Sequence, residues 1–133
     1  AGKSVSLKNY YSNASQVTIF EKQNSTKLIG DLQQYTDAAI NIIKSELIKR
    51  DVLVSDEHFK SIILKISDVQ ATYKAFDKST SLKLTARLGN GKSTTISANY
   101  QTGGSSNQAL DGAIITAITQ LLKSEMVVNY INH

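Results

Sequence analysis

Residues 60–76 read KSIILKISDVQATYKAF, and the fold turns on how this stretch alternates. Ile62, Leu64 and Ile66 recur at every second position, as along a strand with one buried face. The apolar series resumes one residue late, at Val69, Ala71 and Tyr73. Side chains on a strand have a period of two, so this slip would throw the second half onto the opposite face. A β-bulge near Ser67-Asp68 absorbs the extra residue, restores the face and bends the strand.

Residues 81–101 form the next unit. Leu82, Leu84, Ala86 and Leu88 alternate on one arm, and Ile96, Ala98 and Tyr100 on the other. Gly89-Asn90-Gly91 lies between them. A two-residue Asn-Gly turn is the common hairpin solution, but it would set Leu88 opposite Ser93 and Leu84 opposite Ser97, mixing the faces. A three-residue loop over 89–91 sets Leu84 opposite Ile96 and Leu82 opposite Ala98. This register predicts Gly91 in the left-handed conformation, as a G1 bulge.

Working outward, Leu32, Tyr35, Ala39, Ile43 and Leu47 fall at steps of three and four, which predicts a helix over 31–50 with Ile40 and Ile42 widening its stripe. Asp31 is the expected N-cap, and Lys44, Lys49 and Arg50 suit the negative end of the helix dipole. A short extended piece, Val52-Leu53-Val54, follows. Within residues 4–20, Val5/Leu7 and Val17/Ile19 with Phe20 read as two strands split by turn-forming residues. After 102–106 a second helix is expected over about 107–130, opened by a capping box of Ser105 and Gln108. Leu110, Ile114, Ala117, Ile118 and Leu121 form its stripe. Residues 127–131 read as a last helical turn or a short docked segment.

The expectation is one α+β domain over residues 1–133, in the order β-β-α-β-β-β-α. An antiparallel sheet would carry two amphipathic helices packed on one face. Tyr73 and Tyr100 phase with the apolar side, and Lys83, Thr85 and Arg87 with the solvent side.

Composition narrows the chemistry. The chain has 133 residues, 41% hydrophobic and 20% charged, with a net charge of +4 and no cysteine. That removes disulfides, thiol nucleophiles and zinc–thiolate sites together. No run of 18 apolar residues is present, and Ala1-Gly2-Lys3-Ser4 opens without an apolar leader segment. The start is expected to be a mature end or one trimmed of its leader.

Gly89-Asn90-Gly91-Lys92-Ser93-Thr94 contains the Gly-Lys-Ser of a phosphate-binding loop. That loop needs an earlier glycine where this chain has Ala86, and a helix after it. Here an alternating, strand-like segment follows, so a hairpin tip is expected. Asp56-Glu57-His58 is read as a solvated turn, because a metal site needs three or four converging ligands. No Gly-x-Ser-x-Gly elbow occurs. Catalytic residues, cofactor and metal are each expected to be none.

Lys60, Lys65, Lys74, Lys78, Lys83, Arg87 and Lys92 lie on or beside the central strands. Lys83, Arg87 and Lys92 are the candidate contacts for an anionic ligand or partner. Nucleic acid is not expected, because sheets that bind it add aromatic stacking platforms to the basic face. The simpler alternative is a solvated or edge-protecting set of lysines.

Over Ala86 to Ile131 the chain resembles small bacterial outer-membrane lipoproteins of the YajG type. Asn90-Gly91-Lys92 opens a strand ending near Tyr100. Gly103 or Gly104 and Asn107 then lead into a helix carrying Asp111, Ala113 and Leu121-Leu122. Upstream, the Leu32–Arg50 helix, Val52-Leu53-Val54 and the strand at Ile62–Tyr73 keep the same order. The likeness covers about two thirds of the chain and rests on turn and packing residues. It implies a non-enzymatic protein on the periplasmic side of the outer membrane, lipid-anchored in its full-length form. It also implies action through an envelope protein partner or as a homo-oligomer. The family's lipobox cysteine is missing here, so contact with the membrane would run only through an N-terminal anchor absent from this chain. The alternative function is a module for an anionic ligand, such as anionic lipid, lipopolysaccharide or nucleic acid, bound on the basic sheet face.

Overall fold

The computed structural model describes residues 3–22, 26–55, 60–74 and 77–133. The elements run β1 (Lys3–Asn9), β2 (Gln16–Lys22), β3 (Thr26–Asp31), α1 (Leu32–Lys49), β4 (Val52–Val54) and β5 (Ser61–Lys74). Then follow β6 (Asp77–Leu88), β7 (Ser93–Thr102), α2 (Ser106–Leu121) and α3 (Glu125–Asn132). Five strands form one sheet in the order β4-β1-β5-β6-β7, and β2 and β3 form a separate antiparallel pair.

The expected meander is present. β5 pairs antiparallel with β6, and Ile66 faces Leu84. The register breaks between Ser67 and Gln70, where two β5 residues oppose one on β6. Asp68 has φ 53 at this break, a left-handed conformation that Asp tolerates better than most residues. Val69 is thereby returned to the core, 4% exposed. In the next hairpin Leu84 faces Ile96 and Leu82 faces Ala98. Gly91 has φ 90, and its N–H donates to the Leu88 carbonyl.

The α+β class holds, but the sheet is mixed rather than wholly antiparallel. β1 lies between β4 and β5 and runs parallel to both. Parallel neighbours need a crossover connection, and α1 supplies it on the way from β1 to β4. Strand β3 is a further difference. Its Leu28 and Ile29 are adjacent in sequence and both exposed, so it carries no alternation to read. The second helix also departs from expectation, since it is not continuous over 107–130. It stops at Leu121, and tight turns from Lys123 to Gln120 and from Ser124 to Leu121 redirect the chain into α3. The turn lets Val127 and Ile131 reach the core.

Both long helices cover one face of the sheet. Ala39, Ile43 and Leu47 of α1 and Ala113, Ile114, Ala117, Ile118 and Leu121 of α2 are buried with Leu64, Leu82, Leu84 and Ala86. Asp31 caps α1 by accepting from the Gln33 N–H, and the Ser105–Gln108 capping box opens α2.

A gap in the ladder explains how α1 is tied down. β1 pairs with β5 only as far as Leu64. Two residues on, the Ile66 N–H donates to the buried Thr36 Oγ1 at 3.0 Å, and the Ile66 carbonyl accepts from the Tyr11 hydroxyl at 2.7 Å. Thr36 in turn donates to the Leu32 carbonyl within α1. Side chains thus replace the missing strand, because a buried amide without a partner costs about 1–3 kcal/mol. Thr36→Val keeps the shape and removes the acceptor, and a loss of about 1–3 kcal/mol is expected in denaturant unfolding. An unchanged midpoint would show that the Ile66 amide does not depend on Thr36.

Candidate functional site

On β6 and β7 the face of the sheet opposite α1 and α2 is largely exposed. Register places Lys65 of β5 beside Thr85 of β6, and Thr85 beside Thr95 of β7. Lys83 and Arg87 share that side and are exposed. They are four residues apart on one strand, about 13 Å along it. β6 is internal to the sheet, so these cations do not protect an edge.

Lys83 lies 3.3 Å from Asp68, and both side chains are largely exposed. The bulge that corrects the strand register therefore also turns a carboxylate toward the basic face. Lys65 stands over the ring of Tyr10, with Nζ 4.4 Å from its centroid. Tyr10 is 56% exposed and meets Tyr11 edge to face. Asp68 and Tyr10 are not among the residues that sequence reasoning selects. The turn-forming stretch around Tyr10 gives no periodicity from which its placement could be read.

Lys92 stands apart from the other two candidates. The three-residue loop pairs it with Leu88, a core-side residue, and the Leu88 N–H donates to the Lys92 carbonyl. Lys92 lines a cleft of about 500 Å³ with Lys60, Asn90, Met126, Tyr130 and His133. α3 is anchored beside this cleft. The Tyr130 hydroxyl accepts from the Ser61 and Gly89 N–H groups and donates to the Ser61 carbonyl. A Cβ on Gly89 would lie 2.5 Å from that hydroxyl, which accounts for glycine at this position.

A shallow cleft of about 450 Å³ opens beside the bulge, lined by Asp68, Gln70, Ser81, Lys83, Ser97 and Asn99 among others. Its polar groups are hydroxyls, amides and the Lys83–Asp68 pair, a set suited to hydrogen bonding. Among the described residues no three His, Asp or Glu side chains converge on a point. Asp56-Glu57-His58 lies outside the described residues. The segment after Lys92 is strand β7, so the phosphate-loop pattern sits on a hairpin tip.

The perturbed groups are tyrosines with packing roles. Burial pushes the Tyr11 hydroxyl above its ordinary value, with smaller contributions from Tyr10 and Asp68. Burial does the same to Tyr35, whose hydroxyl packs on Gly30, and to Tyr73, where a hydrogen bond with Ser106 opposes the shift. The folded state thus favours the neutral phenols. Their stabilising contribution is complete below the unfolded value of about 10 and is lost as pH rises through the higher folded values. Phenolate absorbance is expected to show tyrosines titrating above about pH 10, with the melting temperature falling over the same interval. Titration of all tyrosines as free phenol, with stability unchanged, would contradict this.

No known protein-family profile matches the chain, and no curated protein matches it in sequence. Solved structures do match in fold. A Xanthomonas campestris protein of the DUF330 family overlays with a TM-score of 0.54 at 10% identity, covering 98% of this chain and 84% of that one. A dodecamer of a PelC point variant from Paraburkholderia phytofirmans overlays with a TM-score of 0.52 at 14% identity, covering 91% and 83%. The lipoprotein GNA1162 from Neisseria meningitidis gives 0.48 at 12% identity, covering 92% and 99%. The first two overlays, at these identities, establish a shared fold and nothing further.

Proposed function

We propose that this chain is a non-enzymatic protein of the bacterial cell envelope. In this reading it faces the periplasm, is lipid-anchored to the outer membrane in its full-length form, and acts by binding protein, including copies of itself. The observation that carries the reading is the fold. Nearly the whole chain overlays a DUF330 protein, and most of it overlays a subunit of the PelC dodecamer. The YajG-like order of helix, strand and turn residues adds the lipid anchor and the periplasmic side. The open face offers hydroxyls, amides, cations and the Asp68 carboxylate, groups that suit a polar contact with another protein.

Fractionation of cells expressing the full-length gene product tests this. The protein is expected in the outer-membrane fraction, labelled by exogenous palmitate and cleaved by protease in spheroplasts but not in intact cells. Recovery in the cytosol, unlabelled and protected, would overturn the reading.

A second reading, a module for anionic lipid or lipopolysaccharide, is favoured by Lys65, Lys83 and Arg87 standing on one open face. It ranks lower because Asp68 already pairs with Lys83 and Tyr10 engages Lys65. On this reading the chain would co-sediment with anionic vesicles at low salt and lose that binding steeply as salt rises. The double variant Lys83→Glu/Arg87→Glu would abolish it. Under the primary reading, co-sedimentation at physiological salt is expected to be negligible for both proteins.

A further inference from the structure

The two edges of the main sheet are built differently. β4 is three residues long, and shortness is one of the usual ways an edge is kept from pairing with other chains. β7 is ten residues long and stands at the other edge. Its register with β6 runs unbroken from Ser93 to Thr102, without a bulge. Residues 93–110 contain no charged side chain and no proline. A long, uncharged edge without bulge or proline lacks, among the described residues, the usual protections.

The hydrogen-bonding phase of this edge follows from the hairpin. Leu88 and Lys92 are a hydrogen-bonded pair, so in an antiparallel ladder every second residue onward from Lys92 also bonds to β6. Thr94, Ile96, Ala98, Tyr100 and Thr102 are therefore bonded inward. Ser93, Thr95, Ser97, Asn99 and Gln101 direct their N–H and carbonyl groups outward, away from the sheet.

We infer that β7 pairs with β7 of a second copy of this chain, antiparallel, about a two-fold axis at Ser97. The inference rests on the reading of the protein as one that binds copies of itself. Phase requires the axis to fall on a residue rather than between two, and Ser97, the middle of the five outward residues, is the centre that pairs all of them. This centre sets Ser97 opposite Ser97, Thr95 opposite Asn99 and Ser93 opposite Gln101, so that the outward backbone groups meet one another. On the helix-covered side, Ile96 then meets Ala98 of the partner copy, and Thr94 meets Tyr100. Both contacts lie on the face that each subunit already packs against its helices. All these pairs are neutral, so self-pairing brings no like charges together, which is the usual cost of a homotypic strand contact.

The helices agree with this geometry. α2 lies over β6 and β7, and the Tyr100 ring of β7 packs on Gly112 of α2. Strands are spaced about 4.8 Å apart, so a helix between β6 and β7 would sit about 10 Å from its two-fold mate. That is the ordinary distance between packed helices, about 8–10 Å. Two sheets would thus join into one of ten strands, with α2 beside its copy across the seam.

Light scattering across a dilution series of the chain, with three variants, tests the pairing. The wild type is expected to run at twice the monomer mass at high concentration. Ser97→Pro removes an outward N–H that β6 does not use and is tolerated on an edge strand. It is expected to be monomeric with a thermal melt close to that of the isolated wild-type subunit. Ser97→Lys sets two cations face to face across the axis and is expected to lose the dimer too, so the test does not hang on the proline variant folding. Because the chain has no native cysteine, Ser97→Cys is expected to cross-link to a disulfide dimer under mild oxidation, several-fold faster than Thr95→Cys. A wild type that stays monomeric, or a dimer that survives both Ser97→Pro and Ser97→Lys, overturns the inference. A monomer found at the outer membrane would reject the pairing and leave the envelope reading intact. A β7-dependent dimer found in the cytosol would do the reverse.

Discussion

One extra residue at the centre of β5 governs the rest of the structure. Ile62, Leu64 and Ile66 must share a face with Val69, Ala71 and Tyr73, yet the spacing between the two sets is odd. The chain reconciles them at Ser67-Asp68, where Asp68 adopts φ 53 and two residues oppose one. Without that break, half of β5 would present its apolar side chains to water, and the α1–α2 layer would cover only half a sheet. The same break bends the strand, forms the polar cleft beside it, and sets Asp68 next to Lys83. Core register and the character of the open face are thus set at a single position.

A second consequence lies at the end of β1. That strand is too short to accompany β5 as far as the bulge, so Ile66 loses its backbone partners just where the strand bends. Thr36 from α1 and Tyr11 from the β1–β2 connection supply them. Asn9 adds a further tie, donating to the Gln33 carbonyl and to Asp37 in α1. The helix is therefore positioned by polar bonds at one end of the sheet as well as by its apolar stripe. Such bonds are directional, whereas burial alone would leave α1 free to slide.

Features that depend on neighbours in sequence were legible there. The bulge, the three-residue loop with Gly91, the Asp31 cap and the Ser105–Gln108 box each follow from spacing or local side-chain chemistry. Features that depend on distant partners were not. Nothing within Lys3–Asn9 states that it will run parallel to both β4 and β5. Nor does the stripe through Leu121 and Leu122 announce a break, because no glycine or proline marks 122–124 and only Ser124 hints at a new N-cap. β3 is not legible because its apolar residues do not alternate. The separation of Lys92 from Lys83 and Arg87 was implicit in the register, since a loop over 89–91 sets Lys92 opposite Leu88. What periodicity could not show at all is a backbone property, the outward row of amides along an edge strand whose side chains are unremarkable hydroxyls and amides.

These elements converge on a molecule whose main sheet buries its core side chains under one helix-covered face. The same sheet also presents a lightly basic face and one long edge strand. Everything in that description presupposes the break at Asp68. Long-range proton–proton contacts between α-hydrogens in solution would test it most directly. Close contacts are predicted for Ile66 with Leu84 and for Ala71 with Thr80, which requires one residue of β5 to be looped out between them. A contact between Gln70 and Thr80, the partner an unbroken ladder would give, would contradict the account.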